Sequence, residues 1–161
     1  MRYAQIREID VTNGEGFGVS LFVQGCHFHC KNCFNKSTWD FSGGELFTFA
    51  TKETIMSLLE KGKEYLSFFS VLGGEPLAPE NRKEIAKLIK EVHNKFPKLT
   101  LNVWTGYTLE KLQQERDKDI INILSTIDTL IDGRFEEEKR DITLKLRGSS
   151  NQRILHRGVD F

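Results

Sequence analysis

The stretch VSLFVQGCHFHCKNCFN, residues 19–35, joins an apolar run rich in β-formers to a loop that holds all three cysteines of the 161-residue chain. The run at residues 19–25 has the length and composition of a buried strand closed by a glycine turn. Three further runs repeat this format, at residues 68–74, 99–106 and 127–133. The sequence therefore predicts four buried strands that each end on a glycine.

Helical patterns lie between these runs. A short helix is predicted to begin at Thr51, a second covers residues 79–96, and a third, capped by Thr108, covers residues 108–124 as one element. Strands that alternate with helices of this length favour the α/β class with a mainly parallel sheet.

The end of the chain is less regular. The alternating residues Ile142, Leu144 and Leu146 predict an edge strand, and the charged run EEEKRD at 136–141 predicts a solvated turn. The polar segment that follows is typical of a solvated chain end.

The composition is that of a globular protein. Charged residues make up 29% of the chain, and 23 basic residues balance 23 acidic ones, so no net field favours nucleic acid or an anionic membrane. No segment approaches the roughly 20 apolar residues that span a bilayer, and the first residues lack a signal-peptide core. We therefore expect one cytosolic domain over residues 1–161.

Cys26, Cys30 and Cys33 are spaced as CxxxCxxC. An odd number of clustered cysteines without a secretory signal disfavours a disulfide framework and favours metal or redox chemistry. Three thiolates on one short loop suit three corners of an iron–sulfur cluster and leave a fourth iron free to bind a small molecule. The alternative is a zinc site completed by His27 or His29, because structural zinc sites have four ligands.

The other unusual segments follow the remaining predicted strands. GGEP at 73–76 ends the second strand, WTGY at 104–107 the third and DGRF at 132–135 the fourth. Because ligands of parallel α/β sheets bind at the carboxyl ends of the strands, we expect these segments to share one rim with the cysteine loop. Glycines at strand ends also make simple turns, and for WTGY and DGRF that interpretation stays open.

The cysteine loop, together with the GGE turn at residues 73–75, resembles the radical S-adenosylmethionine (SAM) superfamily. Within it, the chain is similar to the glycyl-radical activases of anaerobic ribonucleotide reductases, through the blocks VTNGEGFG, LFVQGC, CFNKSTW, GGEPLAPEN, WTGY, LIDGRF and RGSSNQRI between Val11 and Ile154. Asn32 departs from the glycine that family members often have before the last cysteine. Since the chain is shorter than the roughly 250 residues of a closed eightfold barrel, the implied fold is an open partial (βα) barrel of the radical SAM type.

The resemblance also implies which residues meet the cofactors. Cys26, Cys30 and Cys33 would bind one [4Fe–4S] cluster, whose free iron would bind SAM. Residues implied to contact SAM are Asn32, Cys33, Phe34, Gly73, Gly74 and Glu75. Polar groups near the rim or tail add Thr105, Asp132 and Arg147 as candidates. No motif places a general base or a hydrolytic nucleophile, so the cofactors would carry the chemistry.

The function that the resemblance implies is radical formation on a partner. A reduced cluster would pass one electron to SAM, releasing methionine and a 5′-deoxyadenosyl radical, which would take a hydrogen atom from a glycine of the reductase large subunit. The implied partners are that reductase and an electron donor such as flavodoxin or ferredoxin. The implied assembly is a homodimer or a heterotetramer with the reductase. Two alternatives stay open: a small radical SAM enzyme that acts on a free metabolite, and a non-catalytic interaction module stabilised by zinc.

Overall fold

The computed structural model describes residues 1–161 and contains a seven-stranded sheet. The strands are β1 (Arg2–Asp10), β2 (Phe17–Val23), β3 (Glu45–Leu46), β4 (Leu66–Gly73), β5 (Thr100–Trp104), β6 (Thr129–Asp132) and β7 (Arg153–His156). The helices are α1 (Phe49–Gly62), α2 (Arg82–Lys95), α3 (Leu109–Glu115) and α4 (Lys118–Leu124), and short 3-10 helices lie at Lys36–Thr38 and Glu137–Lys139.

The strand order in the sheet is β3-β1-β2-β4-β5-β6-β7. The four predicted strands are β2, β4, β5 and β6, and they pair in parallel at the centre of the sheet. The strands β1, β3 and β7 pair antiparallel on the two sides. The α/β class with a parallel centre is confirmed, and the sheet is open. A barrel of the radical SAM type stays a prediction.

The predicted edge strand at Ile142, Leu144 and Leu146 is wrong. These residues lie in turns, and Leu146 has a φ of 57°, a left-handed conformation that no regular strand contains. The edge strand is β7, where Ile154 pairs with Ile131 of β6. The polar chain end is therefore ordered by pairing with the sheet, which hydropathy alone does not reveal.

Two helix predictions also need correction. Helix α1 is capped by Thr48 and not by Thr51, which instead completes a capping box: each of the two hydroxyls accepts a hydrogen bond from the backbone N–H of the other residue. The predicted cap at Thr108 is confirmed, but the helix that follows is divided into α3 and α4. The break occurs because Arg116 has a φ of 49° and Asp117 caps the second helix.

The hydrophobic core lies between the helices and one face of the parallel strands. Residues Val19, Leu21 and Val23 of β2 are fully buried there, as are Ile85 and Val92 of α2. Complete burial of one such side chain contributes about 2 kcal/mol, so this layer fixes how the strand ends are arranged. None of the helices combines the length and the hydropathy that a membrane span requires.

Candidate functional site

The carboxyl ends of the four parallel strands meet at one edge of the sheet, as predicted. The backbone N–H of Glu75 donates a hydrogen bond to the carbonyl of Gly25 (2.7 Å), which joins the end of β4 to the start of the cysteine loop. The N–H of Gly133 donates to the carbonyl of Tyr107 (3.0 Å), which joins DGRF to WTGY. The motifs found in the sequence thus form one contiguous rim.

Glu75 is a buried carboxyl at the centre of this rim, with 1% of its surface exposed. Its carboxylate accepts hydrogen bonds from the N–H groups of Gly106 (2.7 Å) and Leu77 (2.9 Å) and from the hydroxyl of Thr105 (2.8 Å). Burial raises the pKa of Glu75 to about 7, although these three hydrogen bonds act in the opposite direction. The side chains of Glu75 and Thr105 therefore hold the loops together inside the rim.

The paired glycines allow the backbone of GGEP to lie directly on the cysteine loop. A Cβ added at Gly74 would lie 2.5 Å from the carbonyl oxygen of Gly25, which is a steric clash. Gly73 has a φ of 103°, and a Cβ there would lie 2.9 Å from backbone atoms of Phe22 and Val23. Both positions require glycine for close backbone approach within the protein itself.

The three cysteines are free thiols, each partly exposed. The N–H of Cys26 donates to the carbonyl of Trp39 (3.0 Å), and the N–H of Cys33 donates to the carbonyl of Cys30 (3.1 Å). Burial raises the pKa of Cys26 to about 11, and burial followed by the neighbouring Cys33 raises the pKa of Cys30. A bound iron would supply the positive charge that makes these sulfurs thiolates.

The two histidines of the cysteine loop are each engaged by neighbouring groups. The ring of His27 lies 4.4 Å from that of Phe41, and its Nε2 lies 2.9 Å from Oε1 of Glu80. The ring of His29 stacks on Trp39 at 4.6 Å between centroids. These contacts brace the loop from two sides.

The cysteine loop offers three soft thiols as possible metal donors. No three side chains of the types His, Cys, Asp and Glu converge as the ligands of one metal ion do. A [4Fe–4S] cluster binds each thiolate at a different iron, so its ligands surround a wider volume than those of one ion. The three soft thiols on one loop therefore fit an iron–sulfur cluster.

Phe28 joins the cysteine loop to the ends of β5 and β6. Its ring meets that of Tyr107 edge-on at 4.8 Å, and a Cβ added at Gly106 would lie 2.4 Å from it. The guanidinium carbon of Arg134 lies over the ring of Phe28, 4.3 Å from the ring centroid. Sequence reasoning missed Phe28 and Arg134, and only the position of arginine within DGRF could have drawn attention to it.

Two of the residues implied to contact SAM lie on the loop around Cys33. Asn32 has a φ of 56°, in the left-handed region that glycine and asparagine adopt most readily. The expectation that this position suits glycine is consistent with this conformation, which asparagine also tolerates. The side chain of Phe34 is 98% exposed and is free to meet a ligand or a partner.

The candidates Asp132 and Arg147 are both engaged within the protein. Asp132 is buried, and its carboxylate accepts hydrogen bonds from Nε of Arg153 (2.9 Å) and from the N–H of Leu109 (2.8 Å). Nη1 of Arg147 donates to the carbonyl of Gln152 (3.0 Å), whereas its Nε is buried without a partner. The two side chains brace the rim and the chain end.

Comparisons with known proteins agree with this site. The sequence profile of the family described as "4Fe-4S single cluster domain" matches residues 12–155. The fold and the cysteine loop thus define an α/β protein of the single-cluster iron–sulfur class.

Similar proteins narrow the class to one family. Relatives named anaerobic ribonucleoside-triphosphate reductase-activating protein come from Enterobacteria phage T4 (41% identical, 96% of this chain and 93% of the relative), Haemophilus influenzae (40%, 98% and 98%) and Escherichia coli K12 (36%, 97% and 99%). The chain belongs to the family of anaerobic ribonucleoside-triphosphate reductase-activating proteins.

Proposed function

We propose that this protein activates an anaerobic (class III) ribonucleoside-triphosphate reductase by forming a glycyl radical on its large subunit. The observation that carries the proposal is the cysteine loop, which contains every cysteine of the chain and is hydrogen-bonded to the GGEP turn through Glu75 and Gly25. The shared name of the full-length relatives supports the choice of partner.

Cys26, Cys30 and Cys33 would bind one [4Fe–4S] cluster and leave its fourth iron open for the amino and carboxylate groups of SAM. When bound, the cluster would supply the one electron needed for reductive cleavage of SAM to methionine and a 5′-deoxyadenosyl radical, and that radical would take a hydrogen atom from the partner's glycine. Flavodoxin or ferredoxin would supply that electron. The protein's share of the work is to bind, orient and partly bury these groups.

The residues of the rim divide into two proposed roles. Backbone at residues 32–34 and at Gly74 would lie against SAM, because both segments border the cysteines and Phe34 is exposed. Glu75, Thr105 and Asp132, which are buried and hydrogen-bonded within the protein, would hold those segments in position. Gly73 would help to position these segments through the backbone turn after β4. Arg147 would do so by anchoring the chain end through its hydrogen bond to Gln152.

Access for a protein substrate is supported by the shape of the sheet. The sheet is open, and the cysteine loop lies at its edge with Phe34 and Lys31 exposed. A flexible glycine-containing loop of the reductase could therefore reach the site directly. A homodimer, or a heterotetramer with the reductase, is the proposed assembly.

The test is anaerobic reconstitution with iron and sulfide, followed by reduction in the presence of SAM and a class III reductase. We expect a brown protein, release of 5′-deoxyadenosine and a glycyl-radical signal in electron paramagnetic resonance (EPR). The matched control is Cys30→Ala, which should give none of the three. SAM cleavage without a radical on a competent reductase would favour an enzyme of free metabolites, and a colourless protein with stoichiometric zinc would favour an interaction module.

A further inference from the structure

Arg134 of the DGRF segment is an exposed cation that contacts an aromatic ring of the cysteine loop. Its guanidinium carbon lies 4.3 Å from the ring centroid of Phe28, which is a cation–π distance. Phe28 lies between Cys26 and Cys30 in the chain, so this contact places a positive charge beside the cysteine loop.

Both partners of this contact are held in place by their surroundings. The ring of Phe28 is confined by Tyr107 and by the backbone of Gly106. The carbonyl of Arg134 accepts a hydrogen bond from Nδ2 of Asn151 (2.8 Å), which anchors the DGRF segment to the chain end. The guanidinium is therefore fixed at both ends, by its backbone and by the aromatic face.

The charge of Arg134 is not neutralised by a nearby carboxylate. Arg134 makes no ion pair, whereas the exposed Lys31 of the same loop lies 3.8 Å from the carboxylate of Glu138. Arg134 is thus a cation beside the loop that has no carboxylate partner.

We propose that Phe28 is a positioning residue that holds the guanidinium of Arg134 beside the cysteine loop, so that this charge raises the reduction potential of the cluster. The inference rests on the proposed function, because it needs the cluster to be present. Reduction adds one negative charge to the cluster, and a fixed cation stabilises the reduced form more than the oxidised form. Electron uptake then becomes easier.

The experiment is a redox titration of the reconstituted protein, followed by EPR, for four variants: Arg134→Gln, Arg134→Lys, Phe28→Leu and the double variant Phe28→Leu/Arg134→Gln. We expect Arg134→Gln to weaken reduction about threefold to tenfold, which is a shift of about 30–60 mV to lower potential at 59 mV per tenfold for one electron. Phe28→Leu should shift the potential in the same direction, and Arg134→Lys should shift it less than Arg134→Gln.

The double variant tests whether Phe28 acts through Arg134. We expect it to have the same potential as Arg134→Gln, since the charge is already absent. Two independent, additive shifts would overturn the positioning role. The control is Lys31→Gln, which removes an exposed, ion-paired lysine of the same loop and should shift the potential less than Arg134→Gln does.

The outcomes separate this inference from the proposed function. If the wild-type protein assembles a cluster and cleaves SAM while Arg134→Gln has an unchanged potential, the inference is wrong and the function stands. If the wild-type protein binds no cluster, both fail. Arg134 is exposed, so its replacement leaves the fold intact. The reduction potential measured for Arg134→Gln therefore decides the question even if Phe28→Leu does not fold.

Discussion

The backbone N–H of Gly106 donates a hydrogen bond of 2.7 Å to the buried carboxylate of Glu75, which ties the end of β5 to the end of β4. The same carboxylate accepts from Thr105 and Leu77, so one side chain fixes two of the four segments of the rim. This arrangement makes Glu75 the residue on which the geometry of the rim depends most directly.

Stability should depend on pH through Glu75. Its folded-state pKa of about 7 is above the ordinary value of 4.5, so between these values the folded protein binds more protons than the unfolded chain. The free energy of unfolding should therefore fall by about 2–3 kcal/mol from pH 5 to pH 8, relative to the variant Glu75→Gln, which lacks this titration. Urea unfolding at several pH values measures the difference, and a pH-independent difference would contradict the assignment.

Gly74→Ala should destabilise the protein by at least about 2 kcal/mol, because its Cβ would meet backbone atoms of Gly25 that cannot move aside. The control is Gly158→Ala. Gly158 has a positive φ, unlike Gly74, and has nothing within 4 Å of an added Cβ, so only the backbone strain of about 1 kcal/mol applies. Equal losses in urea unfolding would show that steric contact with Gly25 is unimportant.

Cluster binding should require each cysteine and neither histidine. We expect Cys26→Ala, Cys30→Ala and Cys33→Ala each to lose the iron–sulfur absorbance after reconstitution, since each thiolate would bind a different iron. His27→Ala and His29→Ala should keep it. Iron and sulfide analysis measures the cluster content of the cysteine and the histidine variants. Loss of metal in either histidine variant would instead support a metal site with an imidazole ligand.

Alkylation of the metal-free protein should be slow at Cys26. Burial raises the pKa of this thiol to about 11, so at pH 8 only about one molecule in a thousand carries the thiolate. The rate should rise about tenfold per pH unit between pH 8 and pH 10, measured by iodoacetamide labelling and mass spectrometry. In urea the same site should react about a hundredfold faster at pH 8, and equal rates in the two states would refute the prediction.

Asp132→Asn should destabilise the protein by about 2 kcal/mol, because the guanidinium of Arg153 loses the charge of a buried partner. The matched control is Glu110→Gln, which alters the exposed carboxylate that contacts the same arginine and should have a much smaller effect. Similar losses for the two variants would indicate that the burial of Asp132 does not matter.

Much of the fold could be predicted from local patterns. The four central strands are apolar runs closed by glycine, and the stripe of α2 matches a helix with one buried face. Local patterns failed where the chain conformation was set by a few special residues. Arg116 divides the third helix, and Leu146 disrupts an alternation that otherwise suits a strand, both through a left-handed φ.

The sequence by itself determined that the chain has one cysteine loop, CxxxCxxC, after a buried strand, and glycine-rich segments after the next three strands. Their spacing is a property of the chain, so it can be identified without a structure. Only the tertiary structure decided that Glu75 is buried as a bridge to Gly106 and that Phe28 faces Arg134. These contacts join residues distant in sequence, and they form because the parallel strands bring their carboxyl ends to one edge.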